Sequence, residues 1–168
     1  MSITTIANPA TRALIRNFTT PWKMRWYYLQ KLPTLFFWRI RIRSCSPDRA
    51  VVTIPFSWRT QNPFRSTYFA ALCGAAELST GVLAIIALHQ QPQISMLITH
   101  LEADFIKKAT DMTSFVCEEG WKIQDAVQRA LDTGEAQQVQ VVSVGKNEAG
   151  ETVAKVSVTW SFKAKRQA

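Results

Sequence analysis

One carboxylate, Glu77, stands in the middle of an otherwise apolar, small-residue run that reaches from Tyr68 to Leu88 without a Lys, Arg, His or Asp. A helix of that composition is apolar on every side and is either enclosed by protein or immersed in lipid. Burial of a carboxyl group favours its neutral form and raises its pKa, which suits a group that accepts a proton near neutrality. General base or nucleophile is therefore the chemistry on offer. The same residue also reads as a structural carboxyl, bonded to a hydroxyl or backbone group of a partner subunit. Ser79 and Thr80, within a turn of Glu77, could position a water or bond back to helix carbonyls. Upstream, Asn62-Pro63 either orients the approach to the helix or makes an ordinary turn, and Ser66 or Thr67 is a natural N-cap.

Cations form the second group. Arg59, Arg65, Lys107 and Lys108 are suited to phosphate groups, or are simply solvated. Residues 1–66 carry eleven bases and one acid, Asp48, a net +10, whereas the remainder is −2, which together give the +8 of the chain. Arg39, Arg41 and Arg43 alternate along one expected strand face, next to a segment in which Trp22, Trp26, Tyr27 and Tyr28 interleave with Lys23, Arg25 and Lys31. This combination suits an anionic membrane surface, with a wet outer sheet face as the alternative. Nucleic acid has only the charge in its favour, since no nucleic-acid motif accompanies it. Cys45, Cys73 and Cys117 have no metal spacing, and His89 and His100 complete no ligand set. No metal or resident cofactor is expected, and free thiols with no secretory signal point to the cytoplasm.

The elements that must position these groups follow from pattern. Residues 1–8 read as a loose tail, Asn8-Pro9 as a helix start, and Pro21 as the opening of a second helix, Trp22 to Leu32, which Pro33 ends. Leu35 to Ser44 alternates and reads as a strand, with Ser46-Pro47-Asp48-Arg49 turning it into another over Ala50 to Trp58. The apolar helix follows over about residues 66–90, stopped by Gln90-Gln91-Pro92. Strands are expected over Ile94–Ala109 and Met112–Glu119, then a short amphipathic helix over Trp121–Leu131 closed by Gly134. A hairpin of Gln137–Val144 and Thr152–Lys163 finishes the chain. The expected class is α+β: a curved antiparallel sheet of about six strands wrapped around one long apolar helix. Residues 1–33 would form a helical extension and 34–168 the domain. A membrane span over 68–88 is the competing reading, made costly by the central Glu77.

This order, with Asn62, then Tyr68 six residues on, then Glu77 nine further, resembles the hot-dog fold of acyl-CoA thioesterases, of the phenylacetyl-CoA thioesterase-like group and nearest an uncharacterised hot-dog domain family beside it. Tyr68-Phe69-Ala70 occupy the thioesterases' His-Gly-Gly positions and Glu77 their acid position. Asp104-Phe105-Ile106-Lys107-Lys108-Ala109 is similar to their Phe-Leu-Arg/Lys-Pro-Ala strand. The resemblance covers roughly Thr34 to Lys165. It implies hydrolysis of an acyl thioester, with Glu77, Asn62 and Tyr68 as catalytic candidates and coenzyme A as part of the substrate rather than a cofactor. Arg59, Arg65, Ser66, Thr67, Phe69, Ser79, Thr80, Lys107 and Lys108 are the substrate-binding candidates. It also implies a homodimer, or a dimer of such dimers. The alternative within the family is a non-catalytic module that binds an acyl chain or acyl-CoA.

Overall fold

A computed structural model of the chain describes residues 8–89, 91 and 93–165. The tail expected before Asn8, and Gln90 and Pro92 of the expected helix stop, lie outside the described residues. Among the described residues three helices come first: α1 (Pro9–Phe18), α2 (Pro21–Lys31) and α3 (Pro33–Trp38). Each opens on a proline, whose missing N–H costs nothing in the first turn and whose ring presets the helical φ. The Asn8 side chain caps α1 by accepting from the Ala10 N–H at 2.9 Å.

Helix α3 corrects the sequence reading, which places a strand over Leu35 to Ser44. The alternation there is real only from Arg41 on. Upstream, Pro33 both ends α2 and starts a new turn, and the apolar side chains at i and i+3, Leu35 and Trp38, pack on Gly74 of the central helix. Arg39 ends α3 in the left-handed region, at φ 58°. The three-arginine strand face does not form: Arg39 caps a helix, while Arg41 and Arg43 lie in β1 (Arg41–Cys45), with a bulge between Ile42 and Ser44.

β1 pairs antiparallel with β2 (Ala50–Ile54). Pro55 has no N–H of its own to give the ladder, so β2 ends at Ile54 rather than at Trp58. After the central helix α4 (Phe69–Leu88) come β3 (Ile94–Phe105), β4 (Thr113–Cys117), α5 (Gly120–Thr133), β5 (Gln137–Lys146) and β6 (Thr152–Ala164). All pairings are antiparallel, in one curved sheet of order β1-β2-β4-β5-β6-β3. The alternation in β6 sets its inner face, Val156, Val158, Trp160 and Phe162, against α4, with Lys155 and Lys163 outside.

Helix α4 is long and apolar enough to cross a membrane. The sheet instead wraps it. Ala75, Ala76, Val82, Leu83 and Ala84 are almost wholly buried, and the alanines let β2, β4, β5 and β6 approach closely. Helix α5 covers a further side and is closed by Gly134 in the left-handed region at φ 71°, where glycine carries no Cβ penalty. The N-terminal helices belong to the same core: Met24 and Tyr28 of α2 and Leu35 of α3 are buried with α4 and the sheet.

Candidate active site

The loop before α4 is built around Asn62. Its Oδ1 accepts from the Phe64 N–H at 3.0 Å and the Ser66 N–H at 3.2 Å, and its Nδ2 donates to Ser66 Oγ at 3.1 Å. These bonds hold Arg65 in the left-handed region, at φ 57°. The Thr67 backbone N–H and hydroxyl both donate to the Ala109 carbonyl, at 2.8 and 3.1 Å, tying the start of α4 to the segment that follows β3. Tyr68 N–H donates to the Thr60 carbonyl at 2.6 Å.

These ties define a cavity of about 360 Å³ lined by Asn62, Ser66, Thr67, Phe69, Lys107 and Lys108, together with Leu72, Phe105, Ile106 and Ala109. Six of the side chains singled out from sequence thus meet at one place. The apolar wall was missed, although Phe105 and Ile106 flank the lysines in the very segment that attracts attention. Phe69 stands at the mouth, edge-on to Tyr68 at 4.8 Å and to Phe105 at 6.2 Å between ring centroids. Tyr68 has no side-chain capping bond, and the N–H groups of Phe69 and Ala70 have no acceptor among the described residues. A pair of unsatisfied donors at the positive end of a 20-residue helix can stabilise developing negative charge.

Lys107, on that cavity, also makes an exposed ion pair with Glu151 at 2.6 Å, and that contact holds the Glu151 carboxyl below the usual range, helped by a bond from Asn147. The remaining candidates lie elsewhere. Arg65 is exposed on the loop, and Arg59 lines a second cavity beneath the N-terminal helices. Ser79 and Thr80 are wholly buried and face the sheet. Ser79 donates to the Ala76 carbonyl and lies 2.7 Å from Ser143 Oγ. Thr80 donates to the Glu77 carbonyl at 2.9 Å and accepts from Trp160 Nε1 at 3.0 Å. Both hydroxyls are thereby committed to packing the helix on β5 and β6.

Glu77, one turn before Thr80 on α4, is half-buried. Its carboxylate has no hydrogen bond or ion pair among the described residues, and burial pushes its pKa above the usual carboxylate range. It lies back along the helix over Gly81, where a Cβ would come within 3.1 Å of Glu77 Oε1. Tyr28 of α2 is close enough to feel its charge. The Tyr28 hydroxyl is buried without a partner, and its pKa is pushed up first by that burial, then by Tyr27 and Glu77. The sequence marks Tyr28 only as one aromatic of the basic segment, because its proximity to Glu77 depends on tertiary packing. The thiols offer no competing nucleophile: burial pushes Cys45 and Cys117 up to about 11, and Cys73 in the same direction.

A curved six-stranded antiparallel sheet closed around one central helix, with an open helix start on a small cavity, defines a protein of the hot-dog fold. The chain belongs to the family described as domain of unknown function DUF4442, whose family model matches residues 20–162. Solved structures agree on the fold. The Pseudomonas aeruginosa protein PA5026, a probable thioesterase, is 16% identical with a TM-score of 0.73, covering 86% of this chain and 96% of its own. Thioesterase HI1161 from Haemophilus influenzae is 12% identical with a TM-score of 0.63, covering 88% and 93%. A mutant of thioesterase PA1618 from Pseudomonas aeruginosa is 13% identical with a TM-score of 0.66, covering 84% and 93%. No curated protein matches the sequence.

Proposed function

We propose that this chain is a cytosolic thioesterase-like hydrolase that cleaves an acyl-CoA or other acyl thioester as a homodimer. The observation that carries the reading is Glu77: a half-buried carboxylate with no partner among the described residues, on a helix otherwise devoid of charge. In this reading Glu77 takes a proton from water as its oxygen attacks the thioester carbonyl. The Phe69 and Ala70 N–H groups receive the oxyanion. Collapse of the tetrahedral intermediate breaks the C–S bond, and the departing thiolate takes up the proton.

Within one chain the two parts cannot act on one carbonyl. Eight residues at a rise of ~1.5 Å put Glu77 about 12 Å along the helix from Phe69. A second copy that sets its own helix start against Glu77 resolves this. Strand β3 gives that copy a place to dock. It is an edge of the sheet, twelve residues long, with Met96, Leu97, Leu101 and Phe105 exposed. A long apolar edge invites pairing with another strand. Lys108, with no ion-pair partner among the described residues, and Arg65 are the cations free to meet coenzyme A phosphates.

One observation favours a second reading, a non-catalytic acyl-binding module. Phe69 stands where a glycine would let a carbonyl approach the helix start, and its ring packs with Tyr68 and Phe105. Thiol release from acyl-CoAs of graded chain length, measured for the native chain and for Glu77→Ala, separates the two. The hydrolase reading expects turnover that drops roughly 100- to 10,000-fold in the variant. Equal rates remove Glu77 from the mechanism, and saturable binding without thiol release favours the module.

A further inference from the structure

A second concavity lies away from the helix start. It has a volume of about 490 Å³, sits between α2, α3 and β1, and is walled by Arg25, Arg39, Arg41, Arg43 and Arg59. No acidic side chain lines it. None of the five arginines makes an ion pair among the described residues. Arg25 and Arg59 are instead held over aromatic rings, Arg25 at 5.3 Å from Phe36 and Arg59 at 5.5 and 5.3 Å from Phe37 and Trp58. Arg43 is steadied by a bond to Thr53 Oγ1 at 3.0 Å. Guanidinium groups gathered without a counter-charge repel one another, so this arrangement calls for an anion.

A second observation says what kind of anion. Helix α2 is apolar on two opposite faces. Met24 and Tyr28 go into the core, while Trp22, Trp26 and Leu29, at i, i+4 and i+7, are 70%, 62% and 47% exposed. Trp22 also lines the arginine cavity, so the exposed stripe starts at its rim. Across the cavity, Arg59 leads to Trp58 and Phe37, 69% and 45% exposed and packed edge to face at 5.8 Å. Tryptophans around a basic cavity match the headgroup layer of an anionic bilayer, where indoles sit at the interface and arginines meet phosphates.

We propose that α2, α3 and the Trp58-Arg59 turn form a docking surface for an anionic membrane, with the arginine cavity taking a lipid phosphate. This is independent of the thioester chemistry at the start of α4. It also gives the basic first third of the chain a partner that no feature of the sheet supplies. Co-sedimentation tests it with vesicles of phosphatidylcholine alone and of an equimolar mixture with phosphatidylglycerol. The expected result is binding to the mixed vesicles only. In Arg39→Gln/Arg41→Gln, partitioning should fall about 25-fold, at roughly 5-fold per arginine near the surface. Trp22→Ser/Trp26→Ser should lose it too, with unchanged melting because both side chains are exposed. Three results overturn the proposal. Equal binding to neutral vesicles would remove the role of the cavity. Release by glycerol phosphate would make it a site for a soluble phosphate. A smaller assembly in solution for the tryptophan variant would make the face an interface between protein copies.

Discussion

Glu77 makes a prediction about stability that is separate from turnover. Its carboxylate has no partner among the described residues, and burial raises its pKa, so the folded state holds the ionised form at a cost. An unsatisfied buried polar group costs ~1–3 kcal/mol; because Glu77 is only half-buried, about 1 kcal/mol is the appropriate end of that range. The sign follows from linkage. The folded-state pKa lies above the unfolded one, near 4.5, so the folded chain binds the proton more tightly. The favourable contribution is complete below the unfolded pKa and is lost as pH rises through the folded value. Glu77→Gln keeps the shape and removes the titration. It should therefore match the native chain in acid and exceed it at neutral pH by about 1 kcal/mol, or ~2–4 °C in Tm for a chain of this size. Parallel thermal melts from pH 4 to 8 check this (roughly the span of carboxylate titration in proteins), with thiol release measured on the same samples. Parallel stability curves for the two proteins would show that Glu77 is not strained. A variant less stable at every pH would mean that the carboxylate has a structural partner, and the base assignment would go with it.

Two further outcomes follow from packing. In Gly145→Ala the new Cβ would meet the ring of fully buried Phe115 at 2.6 Å, which forces the β4–β5 pair apart and should cost about 1–3 kcal/mol in denaturant unfolding; unchanged stability would show that the Phe115 pocket is loose. Leu97→Lys puts a charge on an exposed position of the β3 edge, 66% accessible in the single chain, and should yield monomers by sedimentation velocity with lowered thiol release. A dimer that survives the substitution would place the second copy elsewhere.

How legible all this was in the sequence depends on what each residue answers to. Helix α4 was readable because twenty residues without a basic group must leave water and the alternating segments around them supply a sheet to do it, and the β5–β6 hairpin because its alternation and turn are local. Residues 33–38 misled because Phe36, Trp38, Ile40 and Ile42 fit a period of two. The fit of Leu35 and Trp38 on Gly74, a contact from outside the segment, decided for helix. The same distinction runs through the site. The spacing of Asn62, Ser66, Thr67 and Phe69 located the loop and helix start, since those residues organise one another locally. Ser79 and Thr80 were drawn in by their closeness to Glu77 in sequence, yet both are wholly buried against the sheet, where Ser143 and Trp160 use their hydroxyls.

What sequence could not show is a set of groups that a single chain leaves unanswered: the Glu77 carboxylate, the Tyr28 hydroxyl, the Phe69 and Ala70 N–H groups, and the outer edge of β3. A folded protein satisfies nearly all its buried polar groups, so the open donors at the start of α4 and along the β3 edge call for partners. A second copy would answer the edge, and a bound thioester the helix start. Glu77 is then left free to act because neither of those contacts neutralises it.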